Sequence, residues 1–392
     1  MQEKSYKICV VTSTRADFGI MSGLLKKMKA DPQLEMTLVV TGTHLKKEYG
    51  NTVDEIYQEG FQEITTIDIM ETGKIWDATF VAAEALHKFG EFFQKEKPEL
   101  LLVLGDRSEI MAVSMAALLN QIPIAHLHGG EKTEGAVDEA CRHAITKMSQ
   151  LHFTATEGYR NRVVQLGEQP ERVYNVGALG VENIRKISLF SKDEVYEKLT
   201  IPKDKQYVMV TFHPQTQDKQ QMDMQMKPLL SVMEKHSEFY YIISKANADN
   251  GGDYINNLWE QKCEKYGNWK LFSSLGKKLY FSSLSCATMV MGNSSSGIIE
   301  VPSFHIPTID IGDRQQGRTT AESVIHCENK FEDIEKAVQI ALNGIEKGCY
   351  KSVKNPYGRE GTADRIVEII KEELSKGIST KKIFYDVECV TL

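Results

Sequence analysis

The chain has 392 residues, more than one ordinary hydrophobic core serves, so two domains are expected. Apolar residues at 41% and charged residues at 26% describe a soluble globular protein, and a net charge of -7 without a long basic block argues against a general nucleic-acid or membrane-surface role. The seven cysteines lack CxxC spacing and the N-terminal apolar run is too short for a signal peptide or a spanning helix, which points to reduced thiols in a cytoplasmic protein and away from a disulfide framework or a zinc site.

In chain order, "KICVVTST" reads as a buried strand, "GIMSGLLKKMKAD" as a helix and "LEMTLVVTGTH" as a second strand. "LLLVLGD" and "IPIAHLHGG" follow as strands, separated by the small-residue helix "RSEIMAVSMAALLNQ". Helical "VDEACRHAITKMSQ", strand "LHFTAT", helix "EGYRNRVVQLGE" and strand "RVYNVGALG" complete the first half. Such alternation predicts a parallel sheet covered on both faces. A second set of strands, "YVMVTFHP", "FYYIISKANAD", "WKLFSS", "ATMVMGN" and "PTIDIG", begins near residue 205. The predicted fold class is therefore α/β, two Rossmann-like domains facing a cleft at the carboxyl ends of their strands. Residues 1–182 form the first domain, 183–204 the connection and 205–368 the second domain. A C-terminal helix and tail, 369–392, could pack back on the first.

Polar motifs recur just after the strands, which is the pattern of a ligand cleft. Arg15 follows the first strand, Asp106 and Arg107 the third, and "HLHGGEKTEGAVDEACRH" the fourth. In the second half His213, Asn247, the turn "GNSSSG", Arg314 and Arg318 occupy the same kind of place. Singly, each has an ordinary reading. Arg15 could be a surface ion pair, Asp106-Arg107 a helix cap, His213 a turn histidine, and the acidic run from Glu131 to Glu139 a helix start favoured by the dipole. His126 and His128 alternate along an extended segment, so one of them could be a core histidine. Jointly they suggest a nucleotide held by the second half and proton transfer in the first. Ser294 and Ser295 would seat a phosphate at a helix start, His213 and Arg314 would add charged donors, and Glu300 could reach a ribose. Neither GxGxxG nor GxxxxGK[ST] occurs, which weakens the usual dinucleotide and P-loop readings.

"TSTRADFG", "VTGTHL" with "YGNT", "LGDRSEI", "HLHGGE", "RHAITKMSQLH", "FHP", "GNSSSGIIEVPS" and "IGDRQQGR" occur in one order. In that order the chain resembles the hydrolysing UDP-N-acetylglucosamine 2-epimerases, most closely the bacterial sialic and legionaminic acid branch. The resemblance implies a glycosyltransferase-B-like fold, no metal or other cofactor, a UDP-sugar as small-molecule partner and a homodimer. By position, it implies UDP contacts from Arg15, Arg107, His213, Asn247, Ser294, Ser295, Glu300 and Arg314. Asp106, Glu131, Asp138 and His213 match catalytic or sugar-contacting positions, and His44 lies in a motif that approaches the same cleft. His128 stands where many relatives, reading "HIEGGE", have glutamate, and the loop "EKTEGAVDE" is one residue longer than theirs. The implied reaction eliminates UDP to a glycal and adds water to give N-acetylmannosamine. UDP-N,N'-diacetylbacillosamine as substrate, a non-hydrolysing epimerase, a glycosyltransferase and a UDP-sugar sensor are the alternatives.

Overall fold

In the computed structural model, residues 4–70, 77–133, 137–214, 219–246 and 252–387 are described. The chain divides into two compact units, one of residues 1–183 with 359–392, the other of residues 184–358. Among the described residues no helix is long and apolar enough to cross a membrane.

The first unit runs β1 (Tyr6–Thr12), α1 (Arg15–Ala30), β2 (Leu34–Thr41), α2 (Val53–Gln58), β3 (Thr65–Ile67), α3 (Ala78–Glu96), β4 (Leu100–Leu104), α4 (Ser108–Leu119) and β5 (Ile124–Leu127). It continues with α5 (Val137–Met148), β6 (Leu151–Thr154), α6 (Glu157–Gln165), β7 (Val173–Asn175) and α7 (Leu179–Lys186), within which the boundary falls. All strands pair in parallel, in the order β3-β2-β1-β4-β5-β6-β7. Because side chains alternate across a strand, Ile8 and Val10 enter one core with α1, while Cys9 and Val11 enter another with Phe89 and Phe93 of α3. Both faces are buried, which explains the unbroken apolar run of β4. α1 starts where Thr14 and Asp17 form a reciprocal capping box.

The second unit runs α8 (Lys192–Leu199), β8 (Tyr207–Thr211), α9 (Lys219–Lys235), β9 (Tyr240–Ser244), α10 (Gly252–Lys265), β10 (Trp269–Phe272), α11 (Gly276–Leu284) and β11 (Met289–Gly292). Then follow α12 (Ser295–Ile299), β12 (Thr308–Ile311), β13 (Val324–Cys327) and α13 (Phe331–Glu346). Its parallel sheet has the order β10-β9-β8-β11-β12-β13. Val208 and Val210 face one core, Tyr207 and Met209 the other. Two parallel sheets interleaved with helices are the predicted fold class.

The last helix, α14 (Thr362–Lys376), belongs to the first unit, where Ile366, Ile369, Ile370 and Leu374 share a core with Met21, Leu24 and Leu25 of α1. Beyond it, Lys382 Nζ donates to Lys147 O at 2.8 Å and Ser149 O at 2.5 Å and pairs with the buried Glu168 at 2.6 Å. These bonds satisfy carbonyls at the carboxyl end of α5.

Candidate active site

Each sheet has a point where the chain leaves adjacent strands in opposite directions, and in open parallel sheets ligands bind at the carboxyl ends there. In the first unit that point lies between β1 and β4, in the second between β8 and β11. The loops and helix starts leaving these strands carry Arg15, Asp106 and Arg107 in the first unit and His213, Ser294 and Ser295 in the second.

In the first unit a chain of carboxylates and arginines spans the switch point. Ser13 Oγ, just after β1, lies 3.1 Å from Asp17 Oδ2 and 2.9 Å from Glu109 Oε1, its single proton shared between the two carboxylates. Arg107, just after β4, pairs with the same Glu109 oxygen at 2.5 Å. Burial pushes the Asp17 carboxyl up to about 6, against Arg107, Thr14 and Ser13. Asp106 pairs with Arg142 of α5, whose guanidinium also donates to His128 O at 2.9 Å and to Thr133 Oγ1 at 3.2 Å. Asp138, exposed at the start of α5, is pushed above the ordinary carboxylate value by desolvation and then by Asp106; Arg107 and Arg142 oppose this. His128 Nδ1 lies 2.8 Å from Glu131 Oε1. Asp106, Arg107, His128, Glu131 and Asp138 are thus drawn together around Arg142. At Gly130, φ is 78° and a Cβ would come within 2.4 Å of Tyr159 O, so only glycine fits that turn.

Several residues stand apart. β5 ends at Leu127 and His128 has φ 63°, so the extended alternation expected across His126 and His128 stops one residue short. His126 is the core histidine, bonded to Thr146 Oγ1 and Gly105 O, and burial pushes it down to about 3. His44 is buried in a 3-10 turn, bridging Thr12 Oγ1 at 3.0 Å and Thr52 Oγ1 at 2.8 Å, and burial pushes it down to about 4. Arg15 pairs with Glu55 at 2.9 Å, both about half exposed.

In the second unit Asn293 organises the switch point. Its Oδ1 accepts from His213 N at 2.7 Å and its Nδ2 donates to His213 O at 2.8 Å, tying the end of β8 to the end of β11. Asn293 O accepts from Arg314 Nη1 at 3.0 Å and Gln315 Nε2 at 2.8 Å, which brings in the loop after β12. His213, Ser294 and Arg314 are therefore gathered on one asparagine and its neighbour. Gly292 makes the approach possible: its φ is 139° and a Cβ would lie 1.9 Å from Thr211 O. Ser294 is the N-cap of α12, yet its side chain makes no cap hydrogen bond. Ser295 opens α12 and Glu300 closes it, with Tyr280 OH 2.7 Å from Ser296 Oγ behind the turn. Asn355 of "NPYG" holds this turn from below, donating to Ile299 O at 2.8 Å and Ser303 Oγ at 2.7 Å. Asn247 lies outside the described residues.

Sequence reasoning passed over Ser13, Asp17, Glu109, Arg142 and Asn293. Two signals were available. Arg142 is four residues after Asp138 on one helix face, and Asp17 is the acid of the capping box after β1.

The profile of the family described as UDP-N-acetylglucosamine 2-epimerase matches residues 26–371. Polysialic acid biosynthesis protein P7 of Escherichia coli is 38% identical over 391 residues, covering 98% of this chain and 99% of that one. GDP/UDP-N,N'-diacetylbacillosamine 2-epimerase (hydrolyzing) of Campylobacter jejuni is 37% identical over 336 residues, 85% and 86% of the two chains. Among solved structures, UDP-GlcNAc 2-epimerase from Neisseria meningitidis bound to UDP-GlcNAc aligns with a TM-score of 0.81 at 18% identity, over 94% of this chain and 100% of that one, a likeness of fold. A profile match across most of the length, with two relatives above 30% identity, places the chain in the UDP-N-acetylglucosamine 2-epimerase family.

Proposed function

We propose that the protein is a hydrolysing 2-epimerase that converts UDP-N-acetylglucosamine to N-acetylmannosamine and UDP for nonulosonic acid synthesis. The observation that carries this reading is the gathering of Asp106, Glu131, Asp138 and His128 around Arg142 in the first unit. Holding a nucleotide sugar would not require so many acid and base groups, whereas moving protons at a carbon does. The full-length similarity to the polysialic acid protein agrees with the sialic branch.

The chemistry divides between the two groups of residues. In the second unit His213, Arg314 and the Ser294-Ser295 turn take the diphosphate, and preorganised donors there stabilise charge as the leaving group departs. Removing one such donor from a preorganised site costs about 100-fold in rate. In the first unit a base removes the proton at carbon 2 of the sugar. Inversion at that carbon requires the returning proton to arrive on the other face, so a second group must deliver it. Asp138, raised by desolvation and by Asp106, is suited to carry a proton nearer neutral pH than an ordinary aspartate. Water completes the product at carbon 1.

Proton NMR with UDP-N-acetylglucosamine in deuterated water tests the reading. Free N-acetylmannosamine with deuterium at carbon 2, together with UDP, is the expected result. Accumulation of UDP-N-acetylmannosamine would instead identify a non-hydrolysing epimerase, and binding without turnover a sensor. A second reading, hydrolytic epimerisation of UDP-N,N'-diacetylbacillosamine, is favoured by the 37% identity to the Campylobacter jejuni enzyme of that name. Turnover of that sugar alone would select it.

A further inference from the structure

Just past β5 the backbone turns at His128 with φ 63°, a left-handed conformation that side chains other than glycine rarely adopt. The turn is pinned from both sides. His128 N donates to Phe153 O at 2.9 Å, and His128 O accepts from Arg142 Nη1 at 2.9 Å. Glycine follows at the next two positions and would accept the same φ without strain, so the use of a side chain at 128 must lie in its ring. Strained residues held by their surroundings concentrate at functional sites.

The ring is oriented. Its Nδ1 is 2.8 Å from Oε1 of Glu131, which is 4% exposed. A carboxylate only accepts, so ionised Glu131 keeps the imidazole proton on Nδ1 and leaves the lone pair on Nε2. That Nε2 is buried and meets no hydrogen-bond partner among the described residues. His126, two residues earlier, shows the contrast, with both ring nitrogens bonded inside the core. Of the two histidines in "HLH", one is satisfied and the other keeps a buried ring nitrogen without a hydrogen-bond partner among the described residues, with a carboxylate on its other side.

We propose that His128 is a catalytic base and Glu131 its positioning residue, with Nε2 taking the proton from carbon 2 of the sugar. The proposal rests on the epimerase reading and assigns a step within it. The bond from carbon 2 to hydrogen breaks, and its electron pair forms the double bond between carbons 1 and 2. The bond from carbon 1 to the diphosphate oxygen breaks, and that pair leaves with UDP. The proton resides on the imidazolium, whose charge Glu131 balances. Hydration then adds hydroxide to carbon 1 and a proton to carbon 2 from the opposite face, delivered by a carboxylate such as Asp138.

His128→Gly is the informative variant, because glycine suits the backbone angle and removes only the ring. With UDP-N-acetylglucosamine, kcat should fall about 100-fold or more while UDP affinity stays within about twofold. Added imidazole should restore about a tenth or more of the lost rate, which a structural role would not permit. Glu131→Gln should lower kcat by about tenfold at unchanged KM. A kcat for His128→Gly within about fivefold of wild type, or a loss that imidazole leaves untouched, overturns the base assignment. Wild-type protein silent on both UDP-N-acetylglucosamine and UDP-N,N'-diacetylbacillosamine overturns the underlying reading and the base role together. An active wild type beside an equally active His128→Gly overturns the base role alone.

Discussion

Asn293→Ala should loosen the second unit more than its size suggests. The substitution removes the acceptor for His213 N and the donor for His213 O, at 2.7 and 2.8 Å, and His213 is 7% exposed. Each buried backbone group left without a partner costs about 1–3 kcal/mol, so the pair gives a loss of about 3 kcal/mol. The bonds from Arg314 and Gln315 go to the backbone carbonyl of Asn293 and survive the change. Asn293→Asp should be no better than alanine, since its second oxygen would face His213 O where Nδ2 now donates. Urea unfolding followed by tryptophan fluorescence reads this directly. Trp259 and Trp269 are buried in the second unit's core, and a Trp76→Phe background removes the third tryptophan, which lies outside the described residues. A midpoint shift worth under about 1 kcal/mol at unchanged m would refute the view that this asparagine ties β8 to β11. On the proposed role of His213 at the diphosphate, UDP affinity should fall with stability in Asn293→Ala, because His213 shares the lock.

Gly292→Ala places a methyl 1.9 Å from Thr211 O at a φ of 139°, so it should abolish soluble expression or cost about 3 kcal/mol or more, read by yield and the same fluorescence. Acid should destabilise the first unit well above carboxylate titration. His44 and His126 resist protonation down to about 4 and about 3, whereas the unfolded chain takes up those protons near pH 6.5. The unfolded state therefore binds more protons across that window, and stability falls as pH drops from about 6.5 to about 4, by about 3 kcal/mol for His44 alone. Hydrogen exchange of β1 and β5 at stepped pH checks this, and a flat response would refute it. Arg142→Met leaves Asp106 near Asp138 without its countercharge. It should destabilise the first unit by about 2 kcal/mol and lower kcat, with UDP affinity by calorimetry unchanged on the proposed division of roles.

Much of this architecture was legible because buried parallel strands write themselves as apolar runs; β4 and β8 are almost wholly apolar and wholly or nearly buried. The sequence pattern does not single out β3 and β13. Both are edge strands, of three and four residues, and partly exposed, so neither carries an apolar run. The site was legible wherever a residue follows a strand, since that position alone suggests a ligand loop. Asn293 escaped notice because its partner lies 80 residues away, and side-chain bonds to distant backbone leave no local pattern. His44 sits in a recognised motif, but only the fold reveals that Thr12 and Thr52 clasp both its nitrogens. Conversely, "HLH" promised alternation, and the left-handed turn at His128 came from glycines and a bond to β6 that strand periodicity does not encode.

The return of α14 to α1 sets an order of events during synthesis. Residues 359–387 leave the ribosome after every residue of the second unit. The second unit is continuous and can close its core while the chain is still growing. The first unit must wait with Met21, Leu24 and Leu25 uncovered until Ile366, Ile370 and Leu374 emerge. The nascent chain therefore carries an apolar helix face for the whole time its other half is made. That interval is when a chaperone would be needed, and it is shortened by any rearrangement of the gene that places residues 359–392 ahead of residue 1.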